Sequence, residues 1–115
     1  MQAITRRLGA GAVHHAPGAP LCGADATGFA AAAAAVAKAD AVVLTVGTDG
    51  SNLAGNISPP PTSANTTVEC RSGDCLENEG CDRTSIALPQ LQQRLLRAVL
   101  AASKGKPLIL VVFSG

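Results

Sequence analysis

The sequence predicts an α/β fold: a partial doubly wound, mostly parallel sheet with flanking helices, in the order α-β-α-β-long loop-α-β. Three observations predict it. Two continuous runs rich in Val, Leu and Ile, "AVVLTV" at 41–46 and "PLILVVF" at 107–113, have the composition of strands covered on both faces. Segments of helical pattern precede them, and helices alternating with buried strands mean parallel pairing through right-handed crossovers. Hydrophobic residues make up 47% of the 115 positions, enough for one compact core and too short a chain for two.

The elements follow in order. "AITRRL" at 3–8 is a short helix, and "AVHHA" at 12–16 reads as a first strand. "GFAAAAAAVAKA", residues 28–39, is helical through its alanines, with Thr27 or Asp25 as candidate cap. The strand at 41–46 comes next. The last helix is the best marked: in "PQLQQRLLRAVLAAS", Leu91, Leu95, Leu96, Val99 and Leu100 share one face, and Gln92, Gln93, Arg94 and Arg97 take much of the other. Pro89 suits the first helical position, where its missing N–H costs nothing, and Lys104 with Gly105 ends the helix. Three strands make a thin sheet, so the chain reads as a piece of a larger domain.

Composition excludes several partners. The net charge is +1 with no basic stripe or acidic tail, so neither nucleic acid nor an anionic membrane is expected. The only aromatic residues are Phe29 and Phe113, so a stacking platform for a sugar or base would come from elsewhere. The start has two arginines but no apolar run of signal-peptide length, and the longest apolar candidate span is broken by Lys38 and Asp40. Localisation stays open: Cys22, Cys70, Cys75 and Cys81, with the sequons at Asn56 and Asn65, point to an oxidising, secretory context without a visible export signal.

The long loop runs from about Gly47 to Leu88, far beyond the usual connection of roughly 2–6 residues in an α/β unit. It follows the carboxyl end of a parallel strand, where open α/β sheets bind ligands. Its second half holds "ENEGCDR", in which Glu77, Glu79, Asp82 and Arg83 crowd into seven residues. Metal is not expected: there is no CxxC, and His14 and His15 lie far from Cys70, Cys75 and Cys81 in sequence. A small disulfide between two of those three loop cysteines fits their spacing better. No cofactor is expected either, since neither GxGxxG at a strand-to-helix turn nor a Walker lysine occurs. A Ser-His-Asp triad has no support beyond its residue types. Glu77 and Glu79 flank a single residue, a spacing that would suit paired carboxylate chemistry. On composition alone the plainer reading prevails: a charged loop held by an Asp82–Arg83 pair.

The segments "ADAVVLTVGTDGSN" and "ENEGCDRTSIALPQLQQRLLRAVLAASKGKPLILVVFSG", with "HHAPGAPLCGADATGFAAAAAAVAKAD" upstream, resemble the C-terminal α/β sandwich domain of family 3 glycoside hydrolases, in particular the β-xylosidase and α-arabinofuranosidase-like branch. The most specific part is E-G-x-D-R followed by L-P and a helix beginning with Gln. The resemblance implies a glycosidase in which a TIM-barrel domain supplies the nucleophilic Asp and this domain supplies the general acid/base Glu. The matching position is Glu79, with Glu77 as runner-up. Asp82 and Arg83 would shape the loop, since an Arg–carboxylate pair is planar and bidentate. Asp49 would line the same cleft. The implied substrate is a carbohydrate with a terminal β-linked xylose, arabinose or glucose.

The chain departs from the family pattern in three respects. An insertion spans about 53–76, nothing upstream resembles the barrel, and the sequence stops at "FSG" where the family domain continues. Residues 1–115 are therefore expected to be an incomplete domain of this type, inactive in isolation. The alternatives are a non-catalytic α/β interaction module or a flavodoxin-like ligand binder.

Overall fold

The computed structural model describes residues 2–21, 23–48 and 86–114. Their elements are α1 (Gln2–Leu8), a 3-10 turn (Ala10–Ala12), α2 (Gly28–Lys38), β1 (Val42–Gly47), α3 (Gln90–Ser103) and β2 (Leu108–Phe113). β1 and β2 pair in parallel, with Val42 opposite Leu108 and Gly47 opposite Phe113, and α3 is the crossover between them. The α/β class and the parallel pairing hold.

The first strand does not form. Residues 13–20 carry no regular secondary structure, and the described sheet has two strands. Pro17 and Pro20 lack the N–H groups a ladder needs. The segment instead packs on the helices: Ala16 and Ala19 touch the core, and Gly18, at φ 80°, lies against Leu95. A Cβ on Gly18 would stand 2.8 Å from a Leu95 methyl, and one on Gly28 would collide with the Gly18 carbonyl oxygen. Both glycines permit a backbone-to-helix approach that no larger residue allows.

Ala32 and Val36 of α2, Leu95 and Val99 of α3, and Val42 of β1 form the core, with Phe29, Leu44, Ala102 and Leu108 packed around it. The alanine-rich face of α2 lets α3 come close. The buried stripe of α3 keeps Leu91, Leu95 and Val99 of the predicted face and adds Gln92 and Ser103, while Leu96 is half-buried and Leu100 exposed. Leu100 is 50% exposed and Gln92 only 5% exposed. The stripe at 92, 95, 99 and 103 keeps a three-to-four residue period, and Leu100 falls one position past it.

Neighbouring residues set the ends of α3, and a lysine distant in sequence meets the end of α2. Thr27 takes the N-cap position of α2 without a side-chain capping bond, and its N–H donates to Asp25 Oδ1 at 2.9 Å in the turn just before the helix. At the other end of α2, Lys106 Nζ donates to Val36 O at 2.9 Å and Ala37 O at 3.1 Å, placing a cation at the carbonyl end of the helix, where Val36 O also accepts the Ala39 N–H at 3.2 Å. Pro89 is the N-cap of α3 rather than its first residue, and Lys104, at φ 48°, terminates it in the left-handed conformation. Arg94 lies 5.9 Å from the Phe29 ring centroid, joining the outer side of α3 to the start of α2.

Coverage of the sheet is uneven. On β1, Val42 and Leu44 pack toward α2 and α3 and Val46 is buried, while alternation turns Val43 and Thr45 to the opposite, exposed face. β2 is exposed on both faces: Ile109 and Phe113 are each 60% exposed, and Leu110 and Val112, the register partners of Leu44 and Val46, are 40% and 53% exposed. The apolar composition that predicted double coverage is present; among the described residues β1 receives it on one face and β2 on neither in full.

Candidate functional site

The carboxyl end of β1 is where the chain's chemistry converges on the described residues. After Gly47 the ladder extends one step, the Thr48 N–H donating to Phe113 O at 3.0 Å, and Thr48 is buried. Residues 49–85 leave from this point and rejoin at Ile86, four residues before α3 begins. The first turn of α3 meets the same edge, because Gln92 reaches back to Gly47.

That contact is a two-way bond. The Gly47 N–H donates to Gln92 Oε1 at 2.7 Å, and Gln92 Nε2 donates to Gly47 O at 2.7 Å. Gln92 Nε2 also approaches Leu21 O at 3.5 Å. A carboxamide carries one acceptor and one donor group in the arrangement of a peptide unit, so Gln92 stands in for the neighbouring strand that Gly47 lacks. Only one orientation of the amide satisfies both Gly47 groups, since the N–H requires the oxygen and the carbonyl requires the nitrogen.

Gly47 is the glycine the site requires. Its φ is 135°, and a Cβ there would collide with the backbone oxygen of Phe113. Any side chain at this position would push β1 away from β2 at the end where the long connection departs. Gln93 adds a local tie, Nε2 donating to Leu88 O at 2.7 Å, which fixes the approach into α3.

The predicted site residues Asp49, Glu77, Glu79, Asp82 and Arg83 lie outside the described residues, as do Cys22, Cys70, Cys75, Cys81 and the 53–76 insertion. Sequence reading missed Gln92, assigning it to the polar side of its helix. Its neighbours Leu91 and Leu95 on either side were the available signal: a polar residue inside an apolar stripe has a buried partner. Among the described residues no cluster of His, Cys, Asp or Glu could hold a metal ion, and no helix is long and apolar enough to cross a membrane. A hollow of about 550 Å³ beside α1 is lined by Gln2, Thr5, Arg6 and His15. Among the described residues its lining includes no carboxylate.

Residues 49–85 connect the carboxyl end of β1 to the start of α3, the end of a parallel sheet at which open α/β folds generally bind ligands. The comparisons give the family. The model of the glycosyl hydrolase family 3 C-terminal domain matches residues 1–115. The chain belongs to that family. Searches of curated proteins and of solved structures returned no significant match.

Proposed function

We propose that this chain supplies the acid/base half of a retaining β-glycosidase, with Glu79 as the proton-transferring group. The match of the family 3 C-terminal domain across residues 1–115 carries the reading. The attachment of residues 49–85 at the carboxyl ends of the strands supports it, because that edge is where a partner domain's cleft would meet this one.

In the proposed reaction Glu79 protonates the glycosidic oxygen as an Asp of a TIM-barrel domain attacks the anomeric carbon. The bond to the leaving group breaks as the glycosyl–Asp ester forms. Glu79, now a carboxylate, then takes a proton from water, whose oxygen attacks the anomeric carbon and releases the Asp. Retention requires the two carboxyl groups to lie about 5–5.5 Å apart across the sugar. Glu77 is the alternative acid, Asp49 a cleft residue, and Asp82 with Arg83 the pair that shapes the loop. A terminal β-linked xylose fits the branch resemblance best, with arabinose or glucose next.

The test uses a nitrophenyl β-xyloside. The 115-residue chain alone is expected to give negligible hydrolysis, whereas the same segment joined to a family 3 barrel hydrolyses it. Glu79→Gln in the joined protein lowers the rate by about 10²–10⁴-fold, the usual range for loss of a general acid/base. Hydrolysis by the chain alone that Glu79→Gln abolishes would contradict the two-domain reading. A joined protein indifferent to Glu79→Gln would contradict the assignment of the acid.

One observation favours a second reading. The exposed apolar sheet face with Val43, Ile109 and Phe113 suits a non-catalytic α/β module that works by association. Stable activity-independent binding of this chain to a barrel-free partner would favour it.

A further inference from the structure

The ladder between β1 and β2 uses alternate backbone groups of each strand. The Val42 N–H donates to Pro107 O at 2.8 Å and the Thr48 N–H to Phe113 O at 3.0 Å, so even-numbered residues of β1 bond odd-numbered residues of β2. Parallel pairing then turns the N–H and C=O groups of Leu108, Leu110 and Val112 away from β1, and those of Val43, Thr45 and Gly47 away from β2. The two outer edges differ. On β1 the Gln92 carboxamide occupies both outward groups of Gly47. At β2 the sheet stops among the described residues. Leu108–Phe113 holds no charge, proline or glycine, and it is exposed on one face at Ile109 and Phe113 and on the other at Leu110 and Val112. Edge strands of native proteins commonly carry a charge or a proline that discourages pairing, and this one carries neither.

We infer that β2 is an interaction surface for a second copy of this chain, the two β2 strands pairing antiparallel about a two-fold axis at Leu110. The edge itself selects the occupant. A strand added there must offer free N–H and C=O groups and bring apolar side chains to both faces, because a charge set against Leu110 or Val112 would lose water without gaining a partner. β2 meets each requirement, and Leu110 is the middle one of its three outward residues. A two-fold axis there sets Leu110 against its own copy and Leu108 against Val112 of the second copy, each pair exchanging both backbone bonds. Such a dimer limits itself. Its outer edges are the two β1 strands, whose carboxyl ends Gln92 already caps, so pairing ends at two copies rather than running on as a filament. The inference is independent of the acid/base reading, since no residue of 49–85 enters it.

The test uses the 115-residue chain. Sedimentation equilibrium should show monomer and dimer in exchange. Hydrogen exchange at the Leu110 and Val112 amides should slow as protein concentration rises, whereas Ile109 and Val111, bonded to β1, stay protected throughout. A chain that is monomeric at every concentration overturns the inference, and so does open-ended assembly. Association that leaves Leu110 and Val112 exchanging freely also overturns it, because contact through the Ile109 and Phe113 face alone keeps those amides in water.

Leu110→Lys and Leu110→Glu locate the axis. Either variant alone sets like charges opposite each other and should weaken the dimer by about tenfold or more. Mixed in equal amounts, the two variants set opposite charges there, and a heterodimer should return. A mixture that associates no better than either variant alone overturns the axis at Leu110. Where a variant does not fold, the exchange of the parent chain still decides between the outcomes.

Discussion

Gln92 and Gly47, 45 residues apart in sequence, bind each other through both backbone polar groups of the glycine at 2.7 Å each. The relationship makes a side chain perform the work of a strand. Buried backbone groups left unpaired cost about 1–3 kcal/mol each, so the contact matters for the edge of a two-stranded sheet out of proportion to its size.

Gly47→Ala tests the close approach at this edge. The new Cβ meets the Phe113 carbonyl oxygen, and φ 135° is strained for any L side chain. A destabilisation of about 3 kcal/mol or more is expected, read as a lowered urea midpoint. A variant as stable as the parent would show that β1 and β2 can separate freely there.

Lys106 joins the start of β2 to the end of α2 through Val36 O and Ala37 O. Lys106→Met keeps the aliphatic stem and removes the charge-assisted bonds. It should cost about 1–2 kcal/mol and lower Tm accordingly. An unchanged Tm would mean that water replaces the ammonium at those carbonyls without penalty.

Asp25 reports on the entry to α2. Hydrogen bonds from the Thr27 side chain and backbone hold its carboxyl below the ordinary value of 3.8. A folded-state pKa that is depressed contributes stability above the unfolded value, and that contribution disappears as pH falls through the folded value. The Asp25 carboxyl should therefore titrate with a midpoint below 3.8 by NMR, and any advantage over Asp25→Asn should vanish in acid. A midpoint above 3.8 would contradict the hydrogen bonds.

Ile109 stands on the open sheet face and is 60% exposed. Ile109→Lys is expected to change stability by no more than about 0.5 kcal/mol while reducing self-association of the isolated chain, measured by sedimentation. Loss of folding would place Ile109 in a core instead.

Much of the fold was legible because local chemistry and periodicity agree with it. α2, α3 and both paired strands fall within a residue or two of their predicted bounds, and Lys104 ends α3 as its position suggested. "AVHHA" misled because alternation alone does not supply a ladder partner, and the two prolines that follow carry the chain onto the helices. The reading of Gln92 failed for a related reason: helical spacing assigns a face, but a polar side chain on that face is admitted only by a partner distant in sequence.

By itself, the sequence determined the α/β class, the helix ends and the family, because propensity, capping and motif are properties of neighbouring residues. Tertiary structure alone decided that Gly47 admits no side chain, that Gln92 turns inward, and that β2 is left exposed on both faces. Each of these depends on what lies across space from the residue. A carbonyl 66 positions on from Gly47 sets its limit at Phe113, and no local pattern in the chain encodes that proximity.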